Sequence, residues 1–349
     1  MDIESLVKNA DDNFPLKQAF LNGHRYYNDF INTMLVFQNS LTKKEYESVL
    51  KKFQFSKKYD KQRYLQTVSE INVLYYILRM YNDQFKYEPK YNNGYNPECS
   101  FKFGDKTINI EVKCPNMEKR IAEEEREALK IFSAERIPEH QTVISELKNI
   151  IKPNLGNIGL SEIEEIHRMD NKLKDFLVSA QAKFPKSEDS NFNILVISLE
   201  IISDLDEWYT YIFGNNGAFT NQSFIKEKYT NVDAILLTTP VCEHTRWSCY
   251  DEINVWRLEE TANLLYLNPD RETSETGKFY FEQGINLFGS STKDFLIFQE
   301  KLDIQENERW SSKPNYLWQD RYVDFKNTEL KIISEFFKYL QDEGKYKQV

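Results

Sequence analysis

The composition of this 349-residue chain excludes several classes of protein. A formal net charge of −10 argues against a surface coated for nucleic-acid binding, and a hydrophobic content of 40% is ample for a real core in one or two domains. No stretch approaches a membrane span, the start at residues 1–5 lacks signal-peptide character, and four cysteines have no paired spacing. We therefore expect a cytoplasmic protein with no membrane partner.

Residues 1–60 are predicted to form a helical N-terminal cap. A basic stretch lies at its end, where eight basic residues between Lys43 and Arg63 stand against three acidic ones, with aromatic residues interleaved. Such a stretch is suited to holding phosphates, for which we name Lys57, Lys58, Lys61 and Arg63. The alternative is a solvated helix face whose aromatic residues are buried.

The next segment, 66–80, is apolar on most sides and predicts a buried helix. Glu70 shares a face with Val73, Leu74 and Ile77 at helical spacing, so its carboxylate is expected to point toward packed surface. A carboxylate there is costly unless a metal ion, a lysine or a hydrogen-bond network compensates it. Alternatively, Glu70 lies near the surface in the first turns, as a partner of the helix dipole.

Two alternating runs follow a predicted strand at 85–91, and they indicate a hairpin. Residues 98–103 and 107–113 both alternate, and Gly104-Asp105 between them has turn chemistry. Glu111 and Lys113 therefore project from one face. Pairing of the two strands would bring Glu98 and Glu111 within reach of one cation.

This set has the chemistry of phosphodiester hydrolysis. Glu98, Glu111 and the carbonyl of Val112 offer hard oxygen ligands for Mg²⁺ or its substitute Mn²⁺, and Lys113 could position a water or stabilise the pentavalent phosphorus. The alternative is an ordinary surface pair of Glu111 and Lys113 on a half-exposed strand.

The rest of the chain continues the α/β pattern. Residues 118–170 predict a mostly polar helical insertion, 172–181 a helix, and 192–199 and 232–237 buried strands. Cys242, His244 and Cys249 lack a local fourth ligand, so we predict no zinc there. Residues 246–349 predict an aromatic-rich extension that ends in an amphipathic helix at 328–337.

A buried helix with a glutamate, a strand, and then Pro-Glu and Glu-X-Lys on consecutive strands resembles the PD-(D/E)XK nuclease superfamily, over roughly residues 60–245. In this resemblance Glu98 stands where the family usually has aspartate, Glu111 and Lys113 match the Glu-X-Lys element, and Glu70 matches the acidic residue of the first core helix. The family sometimes places a glutamine or lysine of the following helix near the metal, and Gln181 is the candidate. The resemblance implies a restriction endonuclease-like core at 61–245, a mixed central sheet flanked by helices.

The function implied is that of a Mg²⁺-dependent nuclease acting on nucleic acid, most plausibly double-stranded DNA. A stand-alone chain without helicase segments favours an endonuclease of restriction or anti-phage defence type. The alternative is a catalytically silent member that binds nucleic acid or a partner in a defence or mobile-element complex. A homodimer or a partner protein of a defence system remains open.

Overall fold

A computed structural model of the chain describes its first three quarters, with gaps. The described residues are 2–91, 94, 96–116, 129–133, 140–153, 155, 163–167, 169–188, 190–200, 204–213, 217–219, 229–249, 253–268 and 288. Within them, no helix combines the length and apolar character that crossing a membrane requires. The predicted helix at 328–337 lies outside these residues.

Four helices precede the central one: α1 (Ile3–Lys8), α2 (Pro15–Leu21), α3 (Arg25–Ser40) and α4 (Lys43–Lys52). Helix α4 begins at a capping box, in which Thr42 and Glu45 satisfy each other's backbone N–H groups. The predicted helical character of residues 1–60 is confirmed. The apolar residues of these helices belong to the same hydrophobic cluster as those of the central sheet.

Helix α5 (Lys61–Tyr81) is the central helix, and the Asp60 side chain caps it by accepting from the Arg63 backbone N–H. It is buried on most sides between Tyr64 and Leu78, as its sequence predicted. Because it begins at Lys61, Glu70 lies in its third turn and not at its exposed start. The side chain of Glu70 is buried.

The remaining elements follow in chain order. They are β1 (Lys86–Tyr87), β2 (Cys99–Phe103), β3 (Lys106–Lys113), β4 (Leu129–Ser133), α6 (His140–Ile151), β5 (Ile163–His167), α7 (Met169–Lys183), β6 (Asn191–Ser198), α8 (Asp204–Phe213), β7 (Ala234–Thr238), α9 (Pro240–Thr245) and β8 (Asn263–Leu267). Six of the strands form one mixed sheet in the order β1-β2-β3-β6-β7-β8.

The sheet is antiparallel from β1 to β3, parallel from β3 through β6 to β7, and antiparallel again at β8. The β2–β3 hairpin turns at Gly104, whose φ of 61° lies in the left-handed region that glycine adopts without strain. Helices cover both faces of the sheet. Each face of the sheet has its own hydrophobic core, and alternate residues of β6 point to one core or the other. Ile194 packs with α5, whereas Leu195 packs with α7 and α8.

Three predicted boundaries differ from the structure. Strand β1 stops at Tyr87 because Glu88 has a φ of 43°, which an extended strand cannot continue through. The predicted helical insertion contains, among its described residues, one helix and the parallel pair β4–β5, whose partners are more than 30 residues apart in the chain. The sheet also continues past residue 245, because β8 pairs with β7.

Candidate active site

Glu98 and Glu111 come together across the β2–β3 hairpin. The backbone N–H of Glu98 donates to the carbonyl of Ile110 at 2.9 Å, and Cys99 pairs with Ile110, so Glu98 lies at the start of β2 beside this part of β3. Successive carbonyls point to alternate edges of a strand, so the Val112 carbonyl points to the same edge as that of Ile110. The hairpin therefore brings Glu98 close to the part of β3 that carries Glu111 and Val112.

Glu111 is buried with one oxygen unsatisfied. Its side chain has 0% exposure, and its Oε2 has no hydrogen-bond partner among the described residues. Its Oε1 accepts from two ammonium groups, Lys113 Nζ at 2.8 Å and Lys183 Nζ at 2.6 Å. A buried carboxylate oxygen with no donor is costly.

Lys183 is the last residue of α7 and reaches across to the hairpin. Its Nζ lies 2.6 Å from Oε1 of Glu111 and 4.0 Å from Oε1 of Glu98. One cationic centre is thus close to both carboxylates. The side chains of Lys113 and Lys183 are 21% and 26% exposed, so they lie between solvent and the fully buried Glu111.

Gln181 does not lie near these carboxylates, which corrects the placement expected from the resemblance. Its Oε1 accepts from the Asn231 backbone N–H at 2.8 Å, and its amide lies 3.4 Å from the hydroxyl of Thr230. Residues 181 and 183 project from different sides of α7 because a helix turns about 100° per residue. The side chain of α7 that contacts Glu111 is Lys183.

Glu70 joins the same group through a lysine of α4. Nζ of Lys52 lies 2.8 Å from Oε2 of Glu70 and 2.9 Å from Oε2 of Glu98. Gln66, one turn earlier in α5, donates to the other oxygen of Glu70 at 3.4 Å. Of the compensations expected for a buried Glu70, the structure shows a lysine and a hydrogen bond. The near-surface alternative for Glu70 is wrong.

Glu98 therefore connects two layers of the protein. Its Oε2 faces Lys52, on the α4–α5 side of the sheet, and its Oε1 faces Lys183, on the α7 side. This is possible because Glu98 lies just before β2 begins, at the corner of the sheet, where its side chain can be reached from either layer.

Burial and neighbouring charges shift the pKa values of Glu70, Glu111 and Lys52. Burial raises the pKa of Glu70 to about 7, reinforced by Glu98 and opposed by Lys52. Burial also raises the pKa of Glu111, while Lys113 and Lys183 lower it. Burial disfavours the charged form of Lys52, but Glu70 and Glu98 outweigh it and raise the pKa of the ammonium above 10.5. Lys52 is thus charged at neutral pH.

Glu98, Glu111 and the Val112 carbonyl are the oxygen donors that would have to hold a hard divalent cation. In the part of the chain that the structure describes, no group of three or more His, Cys, Asp or Glu residues is arranged to hold a metal ion. Mg²⁺, however, commonly uses one or two protein carboxylates and keeps several waters. Glu98 and Glu111 supply two carboxylates, and Oε2 of Glu111 has no hydrogen-bond partner among the described residues.

The basic stretch lies beside this corner. Gln62, at the start of α5, donates to the carbonyl of Pro115 at 3.3 Å, which places this end of the helix next to the end of β3. Lys57 and Lys58 are exposed, whereas Lys61 pairs with Glu200 at 3.1 Å and Arg63 donates to Gln54 at 2.7 Å. The aromatic residues that lie among the basic residues of this stretch are buried, except Tyr59, which is half-buried.

His244 serves a buried network in the structure. Its Nδ1 is 2.6 Å from the hydroxyl of Tyr26, and its Nε2 is 2.9 Å from Oδ1 of Asn72. Burial lowers the pKa of His244 to about 3, so its ring is neutral. These bonds tie α9 to α3 and α5. The side chain of Cys242 is buried, and that of Cys249 is exposed.

Two residues of the cluster were not identified from the sequence, Lys52 and Lys183. Lys52 was counted only as part of the basic stretch, and Lys183 lies just past the predicted end of its helix. The resemblance did name a lysine of this helix as an alternative to glutamine, which was the available signal for Lys183. No sequence signal connects α4 to Glu98, because that contact spans 46 positions.

Comparisons of the chain with protein-family models, with curated proteins and with solved structures give no match.

Proposed function

We propose that this protein is a Mg²⁺-dependent nuclease. The observation that carries the proposal is the buried Glu111, which has one oxygen without a partner among the described residues and shares the Lys183 ammonium with Glu98. The carboxylates of Glu98 and Glu111 converge on one ammonium group, and Lys113 lies on the same strand as Glu111. Together these groups form the donor set that phosphodiester hydrolysis requires.

The order of elements supports the proposal. A buried helix, α5, is followed by the antiparallel strands β1, β2 and β3, then by helix α7 and the parallel strand β6. This is the order on which the resemblance to the PD-(D/E)XK superfamily rests. The ion pairs support the proposal, because Lys52 joins Glu70 to Glu98, Lys183 joins Glu98 to Glu111, and Lys113 pairs with Glu111.

The roles follow from position and charge. Glu98, Glu111 and the Val112 carbonyl would hold Mg²⁺, which when bound would supply Lewis-acid polarisation and lower the pKa of a coordinated water. Lys113 and Lys183 lie between Glu111 and solvent, so an incoming phosphate meets their ammonium groups first. Their N–H groups donate to phosphate oxygens and stabilise the negative charge that grows in the transition state.

The substrate is proposed to be nucleic acid, with double-stranded DNA as the leading candidate. The exposed Lys57 and Lys58 precede the helix that carries Glu70, and the start of that helix contacts the residues just after β3. A basic surface beside the reacting corner would hold the flanking phosphates of a long substrate. The biological role in restriction or anti-phage defence rests on analogy with the superfamily alone.

A cleavage assay tests this function. Purified protein is incubated with duplex DNA, single-stranded DNA and RNA in Mg²⁺, in Mn²⁺ and in EDTA, beside a Glu111→Gln variant of nearly identical shape. We expect metal-dependent cleavage by the parent, and neither cleavage nor metal binding by Glu111→Gln. Asp105→Asn, in the exposed turn of the same hairpin, is the matched control and should cleave at the parental rate. If the parent cleaves none of the three substrates, the nuclease proposal is rejected.

A second candidate function is that of a nuclease-fold protein that binds nucleic acid or a partner without cleaving. The observation in its favour is that each of the three carboxylates has an ammonium nitrogen within 2.9 Å. Such a network is balanced without any metal ion. Tight, salt-dependent DNA binding by a protein that cleaves nothing and binds no Mn²⁺ is the result this candidate predicts.

A further inference from the structure

The ion pair of Lys183 with Glu111 depends on where helix α7 ends. Lys183 is the last residue of α7, and its side chain crosses from the helix to β3 to place its ammonium 2.6 Å from the carboxylate. A long lysine side chain has many rotamers, so its own torsions do not fix such a contact. The contact therefore requires that the backbone on both sides of Lys183 is held in place.

Asn193 of β6 holds the chain that follows Lys183. The side chain of Asn193 is fully buried, and its amide nitrogen donates to the carbonyl of Pro185 at 3.0 Å. Pro185 lies two residues past the end of α7, where a proline cannot continue the helix. The bond from Asn193 thus fixes the chain at the point where it leaves the helix.

The amide nitrogen of Asn193 also holds the chain that precedes Lys183, through Asn231. It donates to the Asn231 carbonyl at 2.8 Å, and the backbone N–H of Asn231 donates in turn to Oε1 of Gln181 at 2.8 Å. The side-chain amide of Asn231 donates to the Gln181 carbonyl as well, at 3.2 Å. Lys183 therefore lies between two fixed points, each two residues away and each connected to the same buried amide.

The oxygen of the Asn193 side chain connects to the strand of Glu111. It accepts from the side-chain amide of Asn109 at 2.8 Å, and Asn109 and Asn193 are paired across β3 and β6. Because Asn109 comes two residues before Glu111, both side chains project from the same face of β3. One asparagine thus joins the end of α7 to the strand that carries the carboxylate.

We propose that Asn193 is a positioning residue, which sets the separation between the end of α7 and β3 and so places the Lys183 ammonium against Glu111. This deepens the proposed nuclease function and rests on it for the part that Lys183 plays in the reaction. Because Asn193 is fully buried, it acts through Lys183 and not by contact with the substrate.

Chemical labelling of lysines tests this placement without any cleavage. The full-length protein is treated briefly with the N-hydroxysuccinimide ester of acetic acid, and mass spectrometry measures the labelling rate of each lysine. Asn193→Ala should raise the rate at Lys183 several-fold, because the ammonium spends more time away from Glu111. Lys52 is the internal reference, since its side chain is 23% exposed against 26% for Lys183 and is also paired with carboxylates. Its rate should not change.

Asn268→Ala is the matched control. It also removes a buried asparagine whose side chain donates to a backbone carbonyl, that of Val232 at 2.9 Å, and it should leave Lys183 at the parental rate. An unchanged rate at Lys183 in folded Asn193→Ala would overturn the assignment. A rise that Lys52 or the Asn268→Ala variant shows equally would also overturn it, because the change would then be a general loosening.

Gln181→Ala provides the test if Asn193→Ala does not fold. Gln181 is half-buried, so its truncation leaves the core intact while it removes the acceptor of the Asn231 backbone N–H. The labelling rate of Lys183 should rise again, to a smaller extent because the bond from Asn231 to the Gln181 carbonyl remains. With Asn193→Ala unfolded, a parental rate at Lys183 in Gln181→Ala would reject the positioning role.

A double-mutant cycle on cleavage gives a second measure. Asn193→Ala should slow single-turnover cleavage by a factor no larger than Lys183→Met does, and it should cause no further loss when Lys183 is already methionine. An equal loss in both backgrounds contradicts an action through Lys183. If the parent cleaves no nucleic acid, the nuclease proposal fails by itself, and the labelling rates alone decide whether Asn193 positions Lys183.

Discussion

Lys183 and Glu111 form an ion pair between elements that are 72 residues apart, with the ammonium nitrogen 2.6 Å from Oε1 of the carboxylate. The pair joins the end of α7 to the buried end of β3. It brings a second lysine to a strand that already carries Lys113, so the buried Glu111 carboxylate has two cationic neighbours.

Removing this second lysine should slow the proposed reaction. Lys183→Met keeps the length of the side chain but loses its charge, and we expect the rate to fall by roughly two orders of magnitude, because a transition-state stabiliser is lost. Single-turnover cleavage of duplex DNA in Mg²⁺ measures the effect. Lys172→Met, exposed on the same helix, is the control and should retain the parental rate. If Lys183→Met cleaves at the parental rate, Lys183 has no role in the proposed reaction.

Lys113 should affect turnover more than binding. Lys113→Ala is expected to bind Mn²⁺ and DNA nearly as the parent does and to cleave about two or more orders of magnitude more slowly, since its ammonium acts mainly as charge develops on the phosphate. Binding is measured by fluorescence anisotropy in Ca²⁺ and rate by single-turnover cleavage in Mg²⁺. Lys102→Ala, exposed on the neighbouring strand, serves as the control. Equal rates for the two variants would contradict the assignment.

Phosphate binding by the basic stretch can be tested by its salt dependence. The triple variant with Lys57, Lys58 and Lys61 changed to alanine should bind DNA more weakly. Its slope of log K against log salt should be reduced by roughly one unit for each phosphate that these lysines no longer neutralise. A second triple variant, with Lys8, Lys102 and Lys172 changed to alanine, loses the same charge elsewhere on the protein and controls for net charge. An unchanged slope in the first variant means that this stretch is ordinary solvated surface.

Glu243 should make the protein less stable as pH rises. Burial raises the pKa of this carboxyl to about 8 from an ordinary 4.5, and its Oε2 has no hydrogen-bond partner among the described residues. The folded state holds the Glu243 proton more tightly than the unfolded state does. The stabilisation that Glu243 contributes is therefore fully present below pH 4.5 and is lost as pH rises through 8. Glu243→Gln should match the parent near pH 5 and exceed its unfolding free energy above pH 8, by on the order of a few kcal/mol.

Urea unfolding at several pH values measures this difference, with the exposed Glu4→Gln as control. Parallel pH profiles for the parent and Glu243→Gln would show that Glu243 is not the group responsible.

Zinc is predicted to be absent from Cys242, His244 and Cys249. In the structure both ring nitrogens of His244 have partners, Tyr26 and Asn72, and a zinc ion would have to replace one of them. Elemental analysis of protein prepared in zinc-containing medium should find less than one ion per chain. Stoichiometric zinc that disappears in Cys242→Ser would contradict this prediction.

Local pattern was enough to predict much of the core. The buried helix around Glu70, the hairpin that pairs residues 98–103 with 106–113, and the buried strands near 192–199 and 232–237 all appear in the structure within a few residues of their predicted bounds. Each depends on a periodicity or a turn that is local in the chain. The predicted helical insertion was less accurate, because the pairing of β4 with β5 joins segments with a helix between them.

The sequence by itself determined that Glu98 precedes a hairpin whose second strand carries Glu111, because a glycine turn between two alternating runs leaves little other choice. It also indicated that a buried Glu70 needs a partner. Only the tertiary structure decided that the partner is Lys52, that Lys183 and not Gln181 reaches Glu111, and that Glu98 is shared between two layers. The physical reason is that these contacts depend on how helices pack across a sheet, and such packing is fixed by the whole core rather than by any one segment.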